Sequence, residues 1–153
     1  MTYFQEKLYG NVNGPFADRL QNNAARRALV LATLFGAAWV GVAFSNLEHG
    51  FWWLVAAAIV FESSILLLIF SLRGIFELKD DLLDEYQISV RNNAYKASYG
   101  LVLVFLLVLA TIAAGMELPR YSVFGIAVFA FLVSALAPRL VSAWNLEDDR
   151  GQQ

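Results

Sequence analysis

The feature that most constrains this chain is a series of four long apolar stretches, at residues 28–45, 51–72, 98–115 and 122–144. Each is long enough, as an α-helix, to cross the roughly 30 Å hydrocarbon core of a bilayer. The composition agrees, with 59% hydrophobic and 16% charged residues against about 45–50% and 25% in soluble domains. The sequence therefore predicts an all-α integral membrane protein with four transmembrane helices.

The connections between the apolar stretches differ in length. Residues 46–50 and 116–121 are short links, and short links make consecutive helices antiparallel neighbours. Residues 73–97 form a long polar loop between the second and third stretches. We therefore expect two antiparallel hairpins joined by this loop, with polar segments at residues 1–27 and 145–153.

The basic residues are distributed asymmetrically. Of the 11 Lys and Arg residues, nine lie in the two terminal regions or the central loop, Arg139 lies near the C-terminal end of the fourth stretch, and Arg120 alone lies in a short link. Cytoplasmic segments of membrane proteins carry an excess of Lys and Arg. The pattern predicts a multi-pass plasma membrane protein with both termini and the central loop in the cytoplasm.

The residue inventory excludes several functions. The chain has no cysteine and one histidine, His49, which excludes a disulfide, a thiolate metal site and a bis-histidine haem within one chain. We find no Ser-His-Asp arrangement, no glycine-rich phosphate loop and no basic stripe for nucleic acid. No catalytic residue, cofactor site, metal site or nucleic-acid partner is predicted, and the chain is interpreted as a non-enzyme.

The central loop has the pattern of an amphipathic helix with an acidic face. Asn92 and Asn93 are expected to break this helix before the third transmembrane stretch. The apolar positions recur every three or four residues and are Ile75, Leu78, Leu82, Tyr86 and Val90.

Several charged or aromatic residues of this loop form a candidate cytoplasmic docking surface. The alternatives are a solvated helical face with internal ion pairs, or a carboxylate cluster for a divalent cation, although the spacing matches no calcium loop. The candidate residues are Asp80, Asp81, Asp84, Glu85, Arg91 and Tyr95.

The same loop carries a possible family signature. Residues 83–85 read Leu-Asp-Glu, Arg91 follows after five positions, and Ala94-Tyr95 follows after two more. This stretch resembles one in small, uncharacterised actinobacterial membrane proteins, where it lies between two hydrophobic hairpins. Such proteins often place Arg straight after the Asp-Glu pair, whereas this chain has Tyr86. The resemblance implies a four-helix membrane topology and no particular activity.

The second apolar stretch contains one carboxylate near its centre, Glu62, followed by Ser63 and Ser64. An ionisable group at this depth costs about 2.5–3.5 kcal/mol on insertion scales and often marks a functional site. Glu62 is therefore part of a candidate intramembrane polar site. The alternatives are a protonated carboxyl that hydrogen-bonds a neighbouring helix through Thr33, Thr111 or Ser134, a contact to another protein, and a proton or ion path.

Together these features favour a non-catalytic accessory subunit or assembly factor of a larger membrane complex, of which a respiratory supercomplex is one example by analogy. Small-residue pairs in the first stretch, Ala32/Gly36 and Ala37/Gly41, would let another helix approach closely. The alternative is a small oligomeric transporter or channel that uses Glu62. A membrane enzyme acting on lipid or quinone is a third class, for which the sequence offers no residues.

Overall fold

The computed structural model describes residues 19–20, 22–46, 51–72, 75–78, 80, 83–115 and 118–145. Four helices run through these residues, α1 (Asn23–Ser45), α2 (Phe51–Ser71), α3 (Glu85–Gly115) and α4 (Arg120–Asn145), and the described residues contain no strand. Each helix is long and apolar enough to span a membrane. The predicted all-α class with four membrane-spanning helices is confirmed.

Helix α1 begins five residues before the apolar stretch because a polar side chain caps it. The Asn22 side chain accepts a hydrogen bond of 2.8 Å from the Ala24 backbone amide. Such a cap satisfies one of the amides that have no partner in the first turn of a helix. Helix α1 can therefore start among polar residues and enter the apolar region already formed.

Helix α3 begins much earlier than predicted, at Glu85 rather than near residue 98. Asp84 and Gln87 cap its start reciprocally. The Gln87 backbone amide donates to the Asp84 carboxylate (2.7 Å), and the Asp84 backbone amide donates to the Gln87 side-chain oxygen (3.3 Å). The predicted break at Asn92 and Asn93 is wrong. Both side chains are exposed, where water satisfies them, so the helix continues unbroken into the apolar stretch.

The described part of the first half of the predicted loop helix is not α-helical, because residues 75–77 form turns. Ile75, Leu78 and Leu83 are buried. Leu78 and Leu83 form a small cluster with Phe70 of α2 and Ile88 of α3. The apolar positions that suggested a helix therefore fold the loop back onto the helix ends.

The helices pack in the order α2, α1, α4, α3. Helices α1 and α4 form the centre, α2 packs on α1, and α3 packs on α4. Almost none of the apolar part of α3 is buried. The antiparallel hairpins and the cytoplasmic side of the loop stay predictions.

The contact between α1 and α4 depends on glycine. Gly41 and Gly125 are both buried, and a Cβ atom at Gly125 would lie 1.9 Å from Ser45 Oγ and 2.3 Å from the Gly41 carbonyl oxygen. Gly36 plays a similar part toward α2, since a Cβ there would lie 3.0 Å from Phe61 Cα. Small residues thus let these helix backbones approach closely.

Candidate functional site

The candidate residues around Glu62 do not form one site. Glu62 and Ser63 are exposed on the outer face of α2, together with Ile59 and Leu66, whereas Ser64 is buried in the helix packing. The Ser63 hydroxyl donates to the Ile59 carbonyl (2.7 Å). Ser64 turns inward and donates to the carbonyl of Phe61. Glu62 is therefore an isolated carboxyl on the surface of the protein.

Among the described residues, Glu62 does not form the hydrogen bond to a neighbouring helix that was one alternative of the sequence analysis. Thr33 donates instead to the Leu29 carbonyl, and Thr111 donates to the Leu107 carbonyl, each at 2.8 Å. Ser134 has a buried hydroxyl with no hydrogen-bond partner in the described part of the chain. Glu62 likewise has no hydrogen bond or ion pair among the described residues.

Glu62 lies at the twelfth position of the 21-residue helix α2, so a bilayer that matches this helix places it near mid-depth. Its outward direction means that it does not line a path through the interior of one chain. A carboxyl in this position is unfavourable in contact with lipid tails. A second polypeptide on this face could supply the missing hydrogen bond.

The structure distributes the predicted docking residues among several tasks. Arg91 forms an ion pair with Asp80 and also donates to the Leu78 carbonyl (3.4 Å). Asp84 caps α3, and Glu85 is exposed in the first turn of that helix. Asp81 and His49 lie outside the described residues, as does the N-terminal segment 1–18.

Tyr95 belongs to a contact that fastens the central loop to α3 and α4. Its ring packs edge-on against Phe76, with ring centroids 5.6 Å apart. Glu77, beside Phe76, forms an ion pair with Arg139 of α4 (2.8 Å). The Arg139 guanidinium also lies 5.8 Å from the centre of the Phe76 ring. We call Phe76, Glu77, Tyr95 and Arg139 the loop clamp.

The sequence analysis missed the roles of Glu77 and Arg139 in this clamp. The two residues are 62 positions apart, so no local spacing connects them. The one available signal was that an arginine next to Pro138, near the end of an apolar helix, needs a polar partner. Much of the charge in the predicted docking surface is therefore used within the protein.

No described group of three or more His, Asp or Glu side chains is arranged to hold a metal ion. Of the carboxylates proposed for such a site, Asp80 is paired with Arg91 and Asp84 caps α3. The described residues therefore give no geometric support to the divalent-cation alternative.

Comparison with known proteins found no matching family model, no similar curated protein and no similar solved structure. The resemblance to small actinobacterial membrane proteins therefore stays a prediction.

Proposed function

We propose that this chain is a non-catalytic accessory subunit or assembly factor that binds a larger integral membrane protein through the outer face of α2. The observation that carries the proposal is the position of Glu62, which is exposed and has no partner among the described residues. We define the Glu62 face as Ile59, Glu62, Ser63 and Leu66.

The energetic reason is the cost of a carboxyl in contact with lipid. Insertion scales give about 2.5–3.5 kcal/mol for a charged residue at the centre of a transmembrane helix. A partner helix with a hydroxyl, amide or basic side chain at the same depth would donate a hydrogen bond to Glu62. The binding free energy would then include relief of this cost.

The remaining parts of the proposal follow the charge pattern and the apolar helices. The four helices place the chain in a membrane as a multi-pass protein. We propose that this is the plasma membrane and that both termini lie in the cytoplasm, as the distribution of Lys and Arg indicates. A respiratory supercomplex is one host to look for.

The experiment is an affinity purification of the tagged full-length chain from its native membranes in mild detergent, analysed by mass spectrometry. We expect a larger membrane protein to be recovered in stoichiometric amount. Glu62→Leu should abolish that recovery, while Glu62→Gln should retain part of it because an amide still forms hydrogen bonds. The control is Thr111→Val, which removes an exposed hydroxyl that already bonds within its own helix.

Two outcomes would contradict the subunit proposal. Equal recovery of the partner by wild type and Glu62→Leu would show that the Glu62 face is not the interface. Recovery of the chain alone as a defined oligomer, with ion flux in vesicles that Glu62→Gln abolishes, would favour the oligomeric transporter, whose path would lie between copies.

A further inference from the structure

A groove of about 350 Å³ opens between α3 and α4, at the end of the molecule where α3 begins and α4 ends. This volume lies within the range of about 300–1,000 Å³ that small-molecule sites occupy. Neither Glu62 nor the loop clamp contributes to the groove. Its described lining residues are Tyr86, Val90, Asn93, Ala94, Ala97, Val141, Ser142 and Asn145.

Ser142 provides an unused hydrogen-bonding group in this lining. Its side chain is 3% exposed, and its hydroxyl has no partner in the described part of the chain. Two other buried serines have partners: Ser71 donates to the Leu68 carbonyl (2.8 Å) and Ser98 to the Tyr95 carbonyl (3.0 Å). A buried hydroxyl without a partner is unfavourable, and a ligand with a hydrogen-bonding atom would remove that cost.

The polar side chains among the described lining residues of the groove are uncharged. They are the hydroxyls of Tyr86 and Ser142 and the amides of Asn93 and Asn145. Each of these groups can both donate and accept hydrogen bonds. Sugar and glycerol hydroxyls have the same dual character, whereas a phosphate or carboxylate is best matched by cations.

Lys96, next to Ala97 on α3, is not among the described lining residues of the groove, and two other cations at this end of the molecule are paired. Arg91 bonds to Asp80, and Arg139 bonds to Glu77. No charged side chain is among the described residues that line the groove. An uncharged headgroup therefore fits the groove better than an anionic one.

The groove continues into an apolar surface that could accept a lipid chain. Val90, Ala94 and Ala97 are followed on the same face of α3, at steps of three and four residues, by Leu101, Val104 and Val108. Leu101, Val104 and Val108 are exposed by 59%, 62% and 50%. A polar site that leads into an exposed apolar stripe matches an amphiphile whose head lies at the membrane surface.

We propose that the groove between α3 and α4 binds the uncharged, hydroxyl-bearing headgroup of a membrane lipid, with a sugar headgroup as the best match. The headgroup hydroxyls bond to Ser142, Asn93 and Asn145, and an acyl chain lies along the α3 stripe. This proposal is independent of the Glu62 face.

The test is a lipid titration of the purified full-length protein, followed by native mass spectrometry. The probes are monoglucosyl diacylglycerol, diacylglycerol and phosphatidylglycerol with identical acyl chains, together with free methyl glucoside. We expect the glucosyl lipid to bind about tenfold more tightly than either other lipid. Free methyl glucoside should compete weakly because it lacks the chain that contacts the α3 stripe.

Variants locate the binding. Ser142→Ala and Asn93→Leu should each weaken binding of the glucosyl lipid about threefold to tenfold, the ratio that corresponds to one net hydrogen bond. Ser98→Ala is the matched control, because its buried hydroxyl is already bonded to Tyr95 and lies outside the groove lining. Circular dichroism confirms that each variant keeps its helices.

Three results would overturn the proposal. Equal or tighter binding of phosphatidylglycerol would show that the site prefers an anionic headgroup. Wild-type binding by Ser142→Ala, or the same loss in Ser98→Ala, would place the lipid elsewhere. If free methyl glucoside bound as tightly as the glucosyl lipid, the acyl chain would contribute nothing, and the site would not be a lipid site.

Discussion

The two flanking helices, α2 and α3, expose their outer faces in different ways. The outer face of α2 presents Glu62, whose carboxyl has no partner among the described residues. The outer face of α3 presents Leu103 and Leu107, and its exposed polar residue, Thr111, bonds to the Leu107 carbonyl (2.8 Å). Lipid tails can cover the face of α3 at no electrostatic cost, but they cannot satisfy Glu62.

The difference between these outer faces indicates which of the two helices is the better candidate for contact with another protein. Exposed apolar residues on a transmembrane helix are ordinary, because lipid is as apolar as leucine. A carboxyl in the same position must find a hydrogen bond or bear the cost of insertion. We therefore propose that a protein covers the outer face of α2 and that lipid covers the outer face of α3.

The strongest test of the difference between α2 and α3 places a carboxyl on the outer face of α3. We expect Leu107→Glu to disfavour membrane insertion of α3 by about 2.5–3.5 kcal/mol, because Leu107 is exposed near the centre of the span and no protein is expected to cover it. Glu62→Leu should leave insertion equal or better. A glycosylation-based insertion assay measures both variants, and equal insertion of Leu107→Glu and wild type would show that α3 is also covered.

The second prediction tests the contact between α1 and α4, the two helices on which α2 and α3 pack. Gly125→Ala should lower the free energy of unfolding by about 2 kcal/mol, because the new Cβ would overlap Ser45 Oγ and the Gly41 carbonyl. Gly100→Ala is the control, since beyond the adjoining backbone of its own helix no atom lies within 4 Å of its Cβ position. Denaturation in mixed micelles measures both, and a smaller loss for Gly125→Ala than for Gly100→Ala would disprove the close packing of α1 and α4.

The start of α3 provides a third, smaller effect. Asp84→Ala should lower the stability of the first turn of α3 by about 1 kcal/mol, because it removes the acceptor for the Gln87 backbone amide. Ser89→Ala, at an exposed position in the same helix, should cost much less. Hydrogen exchange at residues 85–88 should speed up in Asp84→Ala, and unchanged exchange would show that α3 starts without this cap.

Two ion pairs at the same end of the molecule give the smallest effect. Their side-chain exposures differ, at 27% and 19% for Arg139 and Glu77 against 15% and 72% for Arg91 and Asp80. Double-mutant cycles should give a coupling of about 0.5–1 kcal/mol for the first pair and below about 0.3 kcal/mol for the second, since water screens Asp80. A stronger coupling for the exposed pair would show that the loop clamp is not what holds the loop.

The sequence was sufficient to predict the four spans, because length and hydropathy alone decide whether a helix can cross a bilayer. It also identified Glu62 as unusual and Gly41 as a packing residue. It did not predict that Glu62 points outward. Apart from Ser63 and Ser64, the residues around Glu62 are apolar on all sides of α2, so no amphipathic pattern reveals which face meets α1.

The central loop was predicted less well for a physical reason. The three- and four-residue spacing of Ile75, Leu78 and Leu82 favours a helix, but tertiary contacts of the described loop residues stabilise turns at residues 75–77 instead. Leu78 packs with Leu83, and Glu77 bonds to Arg139. Glu77 and Arg139 are 62 positions apart in sequence, and Gly125 was likewise missed because its importance depends on which helix lies opposite.

The most direct test of the α2 assignment is photo-crosslinking in the native membrane. A benzoylphenylalanine replaces Ile59 on the Glu62 face in one variant and Leu107 on α3 in the other, positions that are 61% and 68% exposed. We expect Ile59 to give one crosslinked protein of defined mass, and Leu107 to give lipid adducts. Lipid adducts alone at Ile59 would contradict the claim that another protein covers Glu62.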